Sequence, residues 1–271
     1  MKYCLNTSTL NKFGLDVEQQ IDVAAAAGYS GIELWMEDIM KFAGSGRSLP
    51  DLAKKMKSRG LEFSNTIAVQ AWCSGDDSAR ASALENVRRE MQMIASLGGK
   101  ACAAPPWGID AGASVAEIAV YFDALVKVGR DTGVEPYLEF WGHSPVLHTL
   151  DQAIEVTERC TAAPLRILVD IYHIYKGGGN PESLRRLPGS MIGIFHVNDY
   201  PDIPRSMITD EDRVFPGEGR APWPTYRDIL SKTGYSGMLS LELFLRSNFG
   251  MTALQLATKG LETMRGTVEG A

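Results

Sequence analysis

The chain has no long apolar run, no basic tract and no cysteine pair with metal-binding spacing. Lysine and arginine never run beyond a pair, and 27 basic residues face 33 acidic ones for a net charge of −6. A protein that tracks a nucleic-acid backbone carries a basic face, so nucleic acid is excluded as a partner. No window approaches 18 consecutive apolar residues, which excludes a membrane-spanning helix. The opening MKYCLNTSTL lacks the apolar core of a secretory signal, so the expected location is the cytoplasm. The four cysteines, Cys4, Cys73, Cys102 and Cys160, form no C-x-x-C and are expected to be reduced thiols. No G-x-G-x-x-G follows the first apolar run and no G-x-x-x-x-G-K-[ST] occurs, so nucleotide-phosphate cradles are missing. Gly44-Ser45-Gly46 and Gly177-Gly178-Gly179 read as turns.

What is present is alternation. Short runs rich in Ile, Val, Leu, Phe and Tyr fall at Lys2–Asn6, Gly31–Trp35, Glu62–Ala68, Lys100–Ala104, Glu135–Phe140, Arg166–Ile171, Ile192–Val197 and Met238–Phe244. Helical patterns lie between them at Asp16–Ala27, Leu49–Arg59, Asp77–Leu97, Val115–Thr132, Leu150–Cys160, Pro181–Leu187 and Thr225–Lys232, and Ala253–Met264 follows the last run. Gly28, Gly60, Gly133 and Gly234 supply the stops. Strands alternating with helices demand a parallel sheet covered on both faces. Eight such units in 271 residues predict an α/β fold, a single (β/α)8 TIM barrel over residues 1–271.

The functional face of a barrel lies at the carboxyl ends of its strands. The fifth run reads YLEFWGH and carries Glu139; the sixth, ILVDIYH, carries Asp170; the seventh, IGIFHVND, carries His196; the eighth, LSLELF, carries Glu242. An unpaired carboxylate buried in an apolar strand is costly. Three carboxylates and an imidazole on four successive strand ends predict one divalent metal, held by Glu139, Asp170, His196 and Glu242. A metal-free cluster of buried ion pairs is the competing reading. Oxygen donors with one nitrogen favour Mn²⁺, and Zn²⁺, Co²⁺ or Mg²⁺ fit the same set.

Nearby polar residues are candidates for substrate contact. His173 and His143 follow Asp170 and Glu139 by three and four positions, and Asp199 follows His196 by three. Arg213 sits in the turn-rich loop DRVFPGEG after the seventh strand, where it either hydrogen-bonds substrate oxygens or pairs with Asp210, Glu211 or Asp212. Trp107 offers an aromatic face to a sugar ring. Glu33 is a carboxylate in an apolar strand, and Asn6, Asn65 and Trp35 end or occupy the first three strands. His148, near a helix start, reads as structural.

These motifs resemble the xylose-isomerase-like barrel superfamily of sugar isomerases and epimerases, and within it the 2-keto-myo-inositol (inosose) isomerases. The resemblance runs through CLNTSTL, LEFWGHS, LVDIYHIY, FHVNDYPDIPRSMITDEDRVFPGEG and SLELF. It implies metal ligation by Glu139, Asp170, His196 and Glu242, with substrate contacts at His173 and Arg213. It also implies an isomerase or epimerase of a small polyhydroxy ketone, acting by proton transfer through a metal-stabilised enediolate, with Glu139 and Glu242 as catalytic acid and base. A ketose 3-epimerase, a hydroxypyruvate isomerase, or a dehydratase of a keto-cyclitol or dehydroshikimate would use the same parts. The chain departs from the inosose isomerases at GIELWMED, at the loops QAWCSGDD and PPWGID, and at Arg220-Ala221-Pro222-Trp223 after PGEG. The substrate therefore stays open at the level of sequence, as does a homo-oligomeric state.

Overall fold

A computed structural model describes residues 1–270. Its strands are β1 (Lys2–Asn6), β2 (Gly31–Trp35), β3 (Glu62–Ile67), β4 (Ala101–Ala104), β5 (Glu135–Glu139), β6 (Ile167–Asp170), β7 (Ile192–Val197) and β8 (Met238–Leu241). Its helices are α1 (Val17–Ala27), α2 (Met36–Gly44), α3 (Leu49–Ser58), α4 (Asp77–Ser96), α5 (Val115–Thr132), α6 (Leu150–Arg159), α7 (Ile171–Lys176), α8 (Trp223–Thr233) and α9 (Ala253–Glu269). The parallel strands run in the order β3-β2-β1-β8-β7-β6-β5-β4, so the β1–β8 ladder joins the two ends of the chain. The sheet is a nearly closed barrel, with β3 and β4 side by side at the seam.

Local chemistry explains most boundaries. Capping boxes open α1 (Asp16, Gln19), α5 (Ser114, Glu117), α6 (Thr149, Gln152) and α9 (Thr252, Gln255). Glycines in the left-handed region close α1, α5 and α8 at Gly28, Gly133 and Gly234. Two helices escape the sequence reading. α2 begins directly after β2 with no side-chain cap, and its amphipathic face buries Met36, Ile39 and Phe42. α7 begins directly after Asp170, whose carboxylate caps it by accepting from the His173 backbone N–H. The apolar run ILVDIY therefore turns from strand to helix at its charged residue. The last strand stops at Leu241, short of the expected Phe244, and Pro181–Arg186 is 3-10 helix.

The hydrophobic interior has two parts. Cys4, Ile67, Ala101, Ala103, Tyr137, Leu168, Ile194 and Met238 form a small cluster apart from the main core. The larger cluster joins Leu5, Ile32, Val169, Phe195 and Leu239 of the strands to apolar faces of the surrounding helices. The alternation of strand side chains assigns the small cluster to the barrel interior. The four thiols are free, and Cys4, Cys73 and Cys102 are buried; burial pushes the Cys102 thiol up to about 12. Among the described residues, no helix is long and apolar enough to cross a membrane.

Gly129 marks a close approach of α5 to β5. A Cβ there would lie 2.5 Å from the Val134 carbonyl oxygen and 2.7 Å from Pro136 Cδ. Alanine is a better helix former than glycine by about 1 kcal/mol, but a fixed carbonyl cannot move aside. Gly129→Ala is expected to lose roughly 1–3 kcal/mol of stability, measured as a lower urea midpoint. A gain in stability would show that the helix has room to shift outward.

Candidate functional site

The period-two rule that fills the barrel also builds the site. Glu139 lies two residues beyond Tyr137, Asp170 beyond Leu168, His196 beyond Ile194, and Glu242 beyond Ser240. Each therefore shares its inward face and stands one layer nearer the carboxyl end. Register sets neighbours: Asp170 pairs with His196, His196 with Ser240, and Asn6 with Glu33.

His196 is the hub. Its Nδ1 lies 3.1 Å from Glu242 Oε2 and 3.4 Å from Asp170 Oδ2. Its Nε2 lies 3.0 Å from Glu33 Oε2. Burial alone would lower the imidazole pKa, but the charges of Glu242 and Glu33 overcome it and raise it well above the ordinary value. Glu33, expected to touch substrate, lies instead behind this ring. It is 0% exposed, and it accepts from Asn65 Nδ2 at 2.8 Å, from Asn6 Nδ2 at 3.4 Å and from Ser240 Oγ. Burial pushes its pKa up, yet His196 and these donors bring the net shift below the usual carboxylate range.

Arg213 is buried, not a surface residue. Its Nη1 donates to Glu242 Oε2 at 2.7 Å and Asp170 Oδ2 at 3.0 Å, and its Nη2 donates to Asp210 Oδ1 at 2.7 Å. One side chain thus pairs with a loop aspartate, as one of the two expectations had it, and also reaches the strand ends. Burial opposes ionisation of Asp170, but Arg213 and His173 hold its carboxyl well below the usual range. Asn198 Nδ2 adds a contact at 3.2 Å to Asp170, while its Oδ1 accepts from the Tyr172 backbone.

Glu139 stands at the edge of this group. Its one ionic neighbour among the described residues is His173 Nε2, 3.8 Å from Oε1. Burial, followed by the charge of Glu242, pushes its pKa up to about 8. Burial also lowers His173 to about 4, against the pull of Asp170. An aromatic wall leads outward. Trp107, 45% exposed, lies 5.4 Å from Trp141 between ring centroids. Trp141 is 5.4 Å from His143, and His143 is 5.9 Å from Tyr172.

Two residues fall away from the strand-end cluster. The Asp199 carboxylate accepts from the backbones of Tyr200, Gly217 and Ala221 and from Trp223 Nε1, so it fastens the loop after β7. His148 bonds the Val146 carbonyl through Nδ1 and the Gln152 side chain through its backbone N–H, a structural place. Asn198, Ser240, Tyr172, Trp141 and Phe244 were not singled out by sequence. Asn198 and Ser240 each lie two residues from a marked residue on the same strand or its extension, and this period was the available signal.

The donors suit a divalent ion. Asp170, His196 and Glu242 are all buried, and each offers one ligand atom within 4.8 Å of the others. Glu33 behind Nε2 supplies the carboxylate that orients metal-binding histidines. Even with His196 protonated, the carboxylates of Glu33, Asp170, Glu242 and Asp210 outnumber the cations His196 and Arg213 by two. Glu139 lies outside the three-residue group.

Comparison with known proteins places this geometry in context. A family model described as xylose isomerase-like TIM barrel matches residues 21–267. An inosose isomerase of Bacillus velezensis is 26% identical over 99% of this chain and 97% of its own. A 3-dehydroshikimate dehydratase of Pseudomonas aeruginosa is 24% identical over 91% of this chain but only 38% of its own length. A crystal structure of the IOLI protein with a bound zinc atom superposes with a TM-score of 0.90, at 26% identity, over 100% of this chain and 99% of that one.

Asn6, Asn65 and Ser240 donate to the Glu33 carboxylate, and His196 Nε2 faces it. In Glu33→Gln, His196 loses its anionic partner. Affinity for a divalent ion is expected to fall about 10–100-fold, read by titration calorimetry on chelator-treated protein. Unchanged affinity would show that Nε2 does not orient the ring.

Proposed function

The chain belongs to the xylose isomerase-like TIM barrel family, and on that footing we propose that it is a divalent-metal-dependent isomerase of a cyclic polyhydroxy ketone, an inosose such as 2-keto-myo-inositol. The observation that carries this reading is the buried group Asp170, His196 and Glu242. Support comes from end-to-end similarity to an inosose isomerase and from the zinc-bearing neighbour. Asp170, His196 and Glu242, with Glu139 completing the set, would hold the ion. We favour Mn²⁺, with Zn²⁺ also suited to these donors. Reduced thiols fit a cytoplasmic enzyme.

When bound, the ion supplies Lewis-acid polarisation of a carbonyl oxygen. The remaining roles fall to the chain's own residues. Glu139, free of strong hydrogen-bond partners, takes the proton from the carbon next to the carbonyl. Glu242, held by Asn6 and Arg213, takes the proton of the neighbouring hydroxyl and passes it to the former carbonyl carbon as the new C=O forms, and Glu139 returns its proton to the former carbonyl oxygen, so the ketone moves by one position and both carboxylates are restored. Arg213 and His173 hold the oxygens that exchange roles. Trp107 and Trp141 shield the ring's C–H face and exclude water. His143 lines the same wall.

Return of the proton to the opposite face of its original carbon would give an epimer. Loss of a neighbouring hydroxyl would give an enone, and the likeness to a dehydratase favours that as the second reading. The test is ²H incorporation by NMR in D₂O with 2-keto-myo-inositol and Mn²⁺. Exchange at the carbon beside the carbonyl, with a new ketone position in the product, is expected. Water release with a growing enone absorbance would replace isomerase by dehydratase. Glu242→Gln should keep the circular dichroism of the parent and lose about 10²–10⁴-fold in turnover. A variant that retained full turnover would sink this assignment of Glu242.

A further inference from the structure

Arg213 presents a difficulty that the metal reading must resolve. Its Nη1 donates to Asp170 Oδ2 and Glu242 Oε2, and those carboxylates belong to the group that would bind the ion. A guanidinium normally grips one carboxylate through two parallel N–H bonds. Turned fully onto Asp170 or Glu242, it would compete with a cation for the same lone pairs.

Here the fork is divided. Only Nη1 reaches Asp170 and Glu242, whereas Nη2 is drawn 2.7 Å from Asp210 Oδ1. Nη2 also lies 3.4 Å from His173 Nε2, and Nε is buried without a partner. The group packs against two rings, with the guanidinium carbon 4.4 Å from the Tyr172 centroid and 5.1 Å from that of Phe244. Asp210 fixes the direction of Nη2. Asp210 is held in turn, since its Oδ2 lies 3.1 Å from His143 Nε2, which is also 3.1 Å from the Tyr172 hydroxyl.

We propose that Asp210, clamped by His143, is a positioning residue that draws Nη2 of Arg213 aside, so that only Nη1 reaches Asp170 and Glu242 and the fork grips neither carboxylate with two N–H bonds that a divalent ion would have to displace. Asp210 acts through Arg213 and touches neither ion nor substrate. The inference rests on the metal-dependent reading above. It also gives His143 a role different from the substrate contact expected of it: the imidazole fixes the aspartate that fixes the arginine. The 3-10 turn Asp210–Asp212 suits this task because its frame is bolted independently, through the Thr209 and Asp212 capping box and the Asp212 to Arg246 ion pair.

The test is Mn²⁺ and Zn²⁺ titration calorimetry on chelator-treated protein, with Asp210→Asn, Arg213→Met, the double variant, and Glu211→Gln as control. Glu211 lies in the same turn and faces Arg246. In Asp210→Asn the ion should bind about 10–100-fold more weakly, while Glu211→Gln binds as the parent does. In the Arg213→Met background, Asp210→Asn should cost less than about 3-fold, because there is no guanidinium left to misplace. An equal loss in both backgrounds would reduce Asp210 to a simple negative charge and overturn the positioning role, as would an unchanged affinity in Asp210→Asn. Failure of the parent itself to bind either ion would instead remove the metal reading. Should Asp210→Asn not fold, His143→Ala carries the same cycle with a smaller loss expected, and equal affinities there overturn the proposal.

Discussion

Uncompensated negative charge in a buried place is the constraint on which this structure turns. Glu33, Asp170 and Glu242 are withdrawn from water at the carboxyl end of one barrel, and each would be prohibitive alone. They are tolerable because His196 lies among all three and Arg213 spans two of them. The balance is incomplete even so. A site short of positive charge, lined by carboxylate oxygens and the Nδ1 edge of His196, is more favourably completed by a dication than by further protons.

The barrel makes that concentration of charge feasible. Parallel strands bring carboxyl ends to one face, and side-chain alternation sends every second residue toward the axis. Apolar residues such as Tyr137, Leu168 and Ile194 fill the layer beneath, and the titratable residues occupy the next layer up. The price of polarity is thereby confined to a single layer. Asp170 shows the economy of the arrangement, since one carboxylate ends β6, caps α7 through the His173 N–H, and pairs with Arg213.

This layering explains what could be read beforehand. A charged residue in an apolar run is conspicuous, so Glu139, Asp170, His196, Glu242 and Glu33 stood out in sequence, and the alternation of runs delivered the eight strands. Depth was not legible. Glu33 and Glu242 look alike as inward-facing strand carboxylates, yet Glu33 lies beneath His196 while Glu242 lies beside its Nδ1. The difference arises from strand stagger, which no single strand records. Helices α2 and α7 were hidden because they begin without the usual polar spacer: α2 starts at the residue after Trp35, and α7 takes its cap from a residue that also belongs to the site. Asp210 was hidden among three consecutive acidic residues, and only the fold distinguishes the one that pairs with Arg213 and His143.

The same geometry relocates the question of specificity. Arg220 to Trp223 had stood out as a departure from inosose isomerases in the loop after β7. Their contacts are with the scaffold: Arg220 N–H donates to the Tyr200 carbonyl, Ala221 N–H and Trp223 Nε1 donate to Asp199, and Trp223 opens α8. A change there alters how the loop carrying Arg213 is anchored, whereas the pocket wall lies elsewhere. Trp107, by contrast, is exposed and stands on a loop whose carbonyl accepts from Cys73, while Gly108 packs against Ala71. The two divergent segments QAWCSGDD and PPWGID therefore brace one another and present a single aromatic edge to the pocket mouth. In the proposed reaction, proton transfer falls to the shared strand ends, and the choice of ring falls to that braced pair of loops.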